Sequence, residues 1–170
     1  MAFDLTPFSS GMLQRQTVDA IVKCNDFTIR HGLILTPQQA LELVETRAVA
    51  LSENGRVEFG TGILDKIIRE FCDSPYITMQ NYMETLHELI EMFYYFKNET
   101  QDSISDDELI AFMSRSFDNV CHGSLELLSG RELPELAGNL RAGIDPRSIE
   151  LIYPKDVDPD IAPNTEDENE

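Results

Sequence analysis

TMQNYMETLHELIEMFYYFKNETQDSISDDELIAFMSRSF, residues 78–117, reads as two amphipathic helices joined by a polar turn. At about 100° per residue, Tyr82, Leu86, Leu89, Ile90, Phe93 and Phe96 fall in one arc, with Glu84, His87, Glu88 and Glu91 opposite. That pattern predicts a helix over Met79 to Lys97 that organises the core. Ser105-Asp106-Asp107-Glu108 has capping-box spacing: the Ser105 hydroxyl accepts from the Glu108 N–H, and the Glu108 side chain reaches back to the Ser105 N–H. A further helix follows over Asp106 to Phe117, burying Leu109, Ile110, Phe112, Met113 and Phe117.

Helical periodicity extends outward from this pair, from residue 10 to about residue 142, with little period-two alternation to support strands. A first helix is expected over Met12 to Lys23, burying Leu13, Val18, Ile21 and Val22. The second opens on Thr36 as N-cap, Pro37 and a capping-box Gln39, and stops at Gly55. Its arc holds Ala40, Leu41, Leu43, Val44, Ala48 and Leu51. Arg56 to Phe59 reads as a short strand or extended link. Ile63, Leu64, Ile67, Ile68 and Phe71 share a face of a third helix, which Asp73-Ser74-Pro75 stops. Weaker helical pieces lie at Ser124 to Leu128 and around Glu132 to Arg141, and residues 143 to 153 read as an extended segment carrying Ile149, Leu151, Ile152 and Tyr153. The fold class is mainly α: a single-domain bundle of about five to seven helices with an extended C-terminal segment. Residues 1–153 form the acidic helical domain, and the charge and prolines of 154–170 predict a disordered acidic tail.

The chain has 170 residues, 13 Lys and Arg against 31 Asp and Glu, and a formal net charge of −18. The tail holds seven acids and only Lys155, a net of −6, which leaves −12 on the body. Such a field disfavours nucleic-acid phosphates and anionic membranes and favours basic partners. No apolar run approaches the ~20 residues of a membrane span, and the N-terminus lacks signal-peptide character. A cytoplasmic location is expected. Cys24, Cys72 and Cys121 are widely spaced, odd in number and free of a C-x-x-C pair, which predicts reduced, mostly buried thiols.

Several patterns invite chemistry. The turn before Ser105 resembles a damaged calcium loop whose oxygen ligands would be Glu99, Gln101, Ser103, Ser105 and Glu108. Lys97 occupies its first ligand position and Asp102 the position that needs glycine, and the capping box alone accounts for Ser105 and Glu108. Glu84-Thr85-Leu86-His87 has the Glu-x-x-His spacing of carboxylate-bridged iron sites, but it has no second copy and it lies opposite the apolar arc. Cys121-His122 suggests an activated thiol, although sequence neighbours seldom share the needed geometry. Gly60-Thr61-Gly62 could offer N–H groups to an anion, without the lysine of a P-loop. No cofactor is expected.

Two residues break their local patterns. Arg47 lies within the apolar arc of the second helix, where its charge needs an internal acid such as Glu58 or Asp73, or else a bound anion or acidic partner. Tyr95 projects towards the acidic face of its helix, so it and Tyr94 are either covered internally or form an exposed aromatic patch of interface type.

Val44-Glu45-Thr46-Arg47, Gly55-Arg56-Val57-Glu58-Phe59-Gly60, Phe71-Cys72-Asp73-Ser74-Pro75-Tyr76, Phe93-Tyr94-Tyr95-Phe96-Lys97-Asn98-Glu99 and Ser105-Asp106-Asp107-Glu108-Leu109 together resemble an uncharacterised family of small acidic proteins, a domain of unknown function, from Gram-positive anaerobic gut bacteria. The resemblance spans roughly residues 3 to 142. It implies a bacterial cytosolic protein and carries over no catalytic residue, cofactor or partner. The expected function is a non-enzymatic binding or accessory protein that engages a basic protein through Arg47, Glu84, Glu88, Glu91, Tyr94 and Tyr95, without direct nucleic-acid or membrane contact. One version is an acidic mimic that fills the basic groove of a nucleic-acid-binding protein. The rivals are a metal-dependent or thiol enzyme and a degenerate EF-hand-like calcium binder. Oligomeric state is not set by these residues.

Overall fold

Residues three and four apart that are apolar bury one stripe of a helix, and the longest such stripe sits at the centre of the structure. The structure is a computed structural model that describes residues 6–144, with side chains from residue 11 onward. Its helices are α1 (Thr6–Lys23), α2 (Asn25–Thr28), α3 (Pro37–Glu53), α4 (Leu64–Phe71), α5 (Tyr82–Glu99), α6 (Asp106–Asn119), α7 (Leu125–Leu127) and α8 (Leu133–Arg141). A 3-10 turn, Ile29–His31, follows α2, and one π turn, Leu128–Glu132, fuses α7 to α8. Six of these helices have eight residues or more, and no strand occurs among the described residues. This is the mainly helical, single-domain fold that the periodicity predicts.

The helix α5 packs against α3, α4, α6 and α8. All six residues of its expected arc are buried, and Met92, Tyr94 and Lys97 join them, so only a narrow stripe through Glu84, His87, Glu91 and Tyr95 stays exposed. Facing it are Leu43 and Val44 of α3, Ile67, Ile68 and Phe71 of α4, Leu109 and Met113 of α6, and Leu133 and Leu136 of α8. Each large side chain so buried contributes about 1.5–3 kcal/mol.

Both capping boxes form. The Thr36 hydroxyl accepts from the Gln39 N–H at 3.1 Å, and the Gln39 side chain accepts from the Thr36 N–H at 3.0 Å. The Ser105 and Glu108 pair makes the same two bonds, each 3.2 Å. Asp106, Asp107 and Glu108 also place negative charge on the first turn of α6, where the helix dipole favours it. Pro134 does not stop α8, because it lies in the first turn, where its missing N–H is not needed.

The structure corrects several readings. The helix α1 begins at Thr6 rather than Met12, and Leu13 is exposed. Burial on α1 starts one turn later, where the Thr17 hydroxyl meets the Gly60 carbonyl at 3.3 Å and Thr17, Ile21 and Cys24 turn inward. Ala48 is exposed, because α3 turns Thr46, Arg47 and Ala50 inward instead, and Phe112 is only partly buried. Of the two readings of Arg56 to Phe59, the extended link holds, since no strand lies beside it among the described residues. The expected extended segment beyond Ile144 and the tail 154–170 lie outside the described residues. Among the described residues no helix is long and apolar enough to cross a membrane.

Burial separates two leucines that periodicity treats alike. Replacing Leu89 with Ala is expected to cost about 3 kcal/mol in chemical denaturation. Leu13→Ala should stay within about 0.5 kcal/mol.

Candidate functional site

The interior polar cluster forms around the extended link. Glu58 turns inward and meets three groups: the Arg47 guanidinium of α3 at 3.4 Å, the Tyr94 hydroxyl of α5, which donates at 2.6 Å, and the Ile63 N–H ahead of α4 at 3.0 Å. Arg47 and Tyr94 are buried. Arg47 thus has the internal acid that its position demands, and the bound-anion alternative loses its motive. Tyr94 belongs to the core and not to an exposed aromatic patch, because the link covers that end of α5. Burial, then the Glu58 carboxylate, pushes the Tyr94 phenol above its ordinary pKa, so it serves as a neutral donor. Gly62 closes the arrangement: its φ is +55°, and a Cβ there would lie 1.4 Å from Glu58 Oε1. The Gly60-Thr61-Gly62 turn therefore already faces an anion, and that anion is Glu58.

The residues of the calcium-like loop are spent on structure. Lys97 is buried, pairs with Asp106 at 2.8 Å and donates to the Ile104 carbonyl, so an ammonium fills the loop. Glu99 pairs with Arg141, Ser103 donates to the Thr100 carbonyl, and Ser105 and Glu108 cap α6. Gln101 and Asp102 take left-handed backbone conformations in place of the loop glycine. Among the described residues no group of three or more His, Cys, Asp or Glu side chains is placed to hold a metal ion.

The three cysteines are free and buried, as their spacing predicts. Burial pushes each thiol above its ordinary pKa, the direction opposite to that of a thiolate nucleophile. Next to Cys121, His122 contacts the Tyr76 hydroxyl through Nδ1 at 3.2 Å.

On the outside, α3 and α5 leave a groove of about 510 Å³ between them, lined by Glu42, Glu45, Thr46, Val49, Met83, Glu84, His87 and Glu91. His87 spans it, with Nδ1 2.7 Å from the Thr46 hydroxyl and Nε2 3.2 Å from Glu91. The Thr46 hydroxyl also approaches the Glu42 carbonyl at 2.9 Å. Glu42, Glu45 and Glu84 make no ion pair among the described residues, while Val49 is 56% exposed and supplies an apolar floor with Met83. Of the expected interaction residues, Glu84 and Glu91 line this groove. Glu88 is half-buried outside its lining, and Tyr95 is exposed one turn beyond Glu91, edge-on to Phe96. His87 engages Thr46 through Nδ1 and Glu91 through Nε2, so neither ring nitrogen stands free to ligate a metal beside Glu84.

The sequence reading missed the α3 wall of the groove. Glu42, Glu45 and Val49 recur at intervals of three and four on the outer side of α3, a signal that attention to the apolar arc passes over.

Residues 20–146, most of the chain, match the model of a family of unknown function, DUF6323. No curated protein and no solved structure matches the chain.

Replacing Glu58 with Ala leaves Arg47 buried without its partner, and denaturation should show a loss of about 2–3 kcal/mol. Tyr94→Phe, which removes one donor to that charge, is expected to cost about 1.5 kcal/mol. Thiol titration of the native protein with a disulfide reagent should be slow at all three cysteines and become complete within minutes only in denaturant.

Proposed function

The chain belongs to this family of unknown function, and we propose that it is a non-enzymatic binding protein whose α3–α5 groove takes a basic segment of a partner protein. The observation that carries the reading is the groove's chemistry: four carboxylates, three of them unpaired among the described residues, around an apolar floor of Val49 and Met83. Lysine and arginine have the matching form, an aliphatic stem that lies on apolar surface and a cationic head that seeks carboxylates. The net charge of −18 adds long-range attraction and raises the encounter rate with such a segment. His87 contributes geometry. By bonding to Thr46 on the facing helix it holds the two walls at a set separation, so little ordering is left to oppose binding.

The same chemistry argues against the enzymatic alternatives. The thiols are shifted away from reactivity, and the side chains of the calcium-like loop already hold one another. A bacterial cytoplasmic setting belongs to this proposal, and three free, buried cysteines support it.

A fluorescent peptide of alternating lysine, arginine and leucine is the probe. It should bind with an affinity that falls as salt rises. Glu42→Lys combined with Glu84→Lys and Glu91→Lys should weaken binding by at least about tenfold. Glu126→Lys with Glu135→Lys, on exposed acids of α7 and α8, should change it little. Equal weakening by both variants would show a diffuse charge effect and sink the groove reading.

A further inference from the structure

The two helices that wall the groove run side by side in the same direction. The Ile34 N–H ahead of α3 donates to Met79 Sδ ahead of α5 at 3.3 Å, Thr46 meets His87 halfway along, and the Asn98 side chain donates to the Asn54 carbonyl at the far end at 2.8 Å. The groove is thus part of a longer track between α3 and α5, and both ends of that track are apolar. At the first end Ile34 and Met79 remain 43% and 45% exposed although they touch each other, and Met83 follows four residues later. At the other end the Tyr95 ring rests edge-on against Phe96 and is 53% exposed.

The track has three rows. Met83 and Val49 form its floor, Glu42 and Glu45 form a rim on α3, and Glu84 and Glu91 form a rim on α5. An extended strand sends every second side chain away from the surface on which it lies, so it meets one row. A helix presents an apolar stripe with a polar row on each side, and the furrow between two side-by-side helices is where a third helix packs. No Lys or Arg lines the groove, so cations on both flanks of such a helix meet carboxylates on both rims.

We propose that the occupant of the groove is a basic amphipathic helix of a partner protein. Its apolar stripe runs from Ile34 and Met79 over Met83 and Val49 to Tyr95, and its Lys and Arg flanks lie against the two acidic rims, the helix-in-groove mode of recognition. This ligand rests on the binding function proposed for the groove and adds to it a conformation and two apolar ends of the seat. From Met83 to Tyr95 the seat is about 18 Å long at about 1.5 Å per residue, and Ile34 and Met79 add a further turn, so a helix of about 16 residues fills it. A second copy of the chain does not suit the seat, because each copy carries a net charge of −18.

Two fluorescent peptides of about 16 residues and identical leucine, lysine and arginine composition test this on the 170-residue chain. One sets leucine at helical spacing and the other alternates leucine with basic residues. The helically patterned peptide should bind at least about tenfold more tightly and gain helical circular dichroism on binding. Met79→Gln with Tyr95→Gln should weaken it at least about fivefold, whereas Val57→Gln with Phe59→Gln, which removes still more exposed apolar surface on the link, should leave it unchanged. Equal affinity of the two peptides, or binding without a gain of helix, overturns the helical occupant and leaves the groove reading intact. Equal loss in the two double variants, or loss in neither, overturns the seat. Binding of both peptides that is unmoved by Glu42→Lys with Glu84→Lys and Glu91→Lys removes the groove function itself.

Discussion

Three helices meet on the carboxylate of Glu58. It takes a guanidinium from α3, a phenol from α5 and the N–H group ahead of α4. A partly buried carboxylate is costly unless its oxygens are satisfied, and here three donors from three segments share them. The cluster therefore acts as a joint, and with Gly62 it allows the link between α3 and α4 to close on the core. A second tie, between Thr46 and His87, joins α3 and α5 on their outer side. Held at both edges, the pair presents a groove whose shape is set before anything enters it.

The distribution of charge follows from the same economy of partners. Arg56 and Arg141 tie together segments distant in sequence, and Arg47 and Lys97 close shorter loops onto the body. With so many cations committed to internal bonds, the surplus of carboxylates is left to the surface, and α3 and α5 gather part of it in one concavity. A surface of that kind discriminates by sign and by stem chemistry more than by shape. Under the function proposed above, that selectivity is for basic side chains.

Local signals were legible where the physics is local. Thr36 with Gln39 and Ser105 with Glu108 are reciprocal bonds between residues three apart, so spacing alone identifies them. The inner face of α5 is set by periodicity, as are Ile63, Leu64, Ile67, Ile68 and Phe71. Legibility fails where a distant segment decides. Tyr94 is buried because the link crosses over it, and no property of its own helix reveals that. Leu13 satisfies the period yet lies beyond the contact at which α1 meets the body. Arg47 announces a need for a partner, and Glu58 was among the acids that could meet it, but the choice depends on the path of the link. The groove needs two helices side by side, so only its α5 half, through Glu84 and Glu91, could be read in advance.

The π turn at Leu128–Glu132 has a separate consequence. A helix adopts that geometry when one turn holds an additional residue. The surplus is absorbed within the turn, so Leu128 at its start and Leu136 after it are both buried while Gly130 is exposed. Chain length and packing register are therefore uncoupled in this C-terminal rod. The π turn also leaves Pro134 in the first turn of α8, where its missing N–H is not needed, whereas an uninterrupted α-helix over the same residues would carry that proline in its interior.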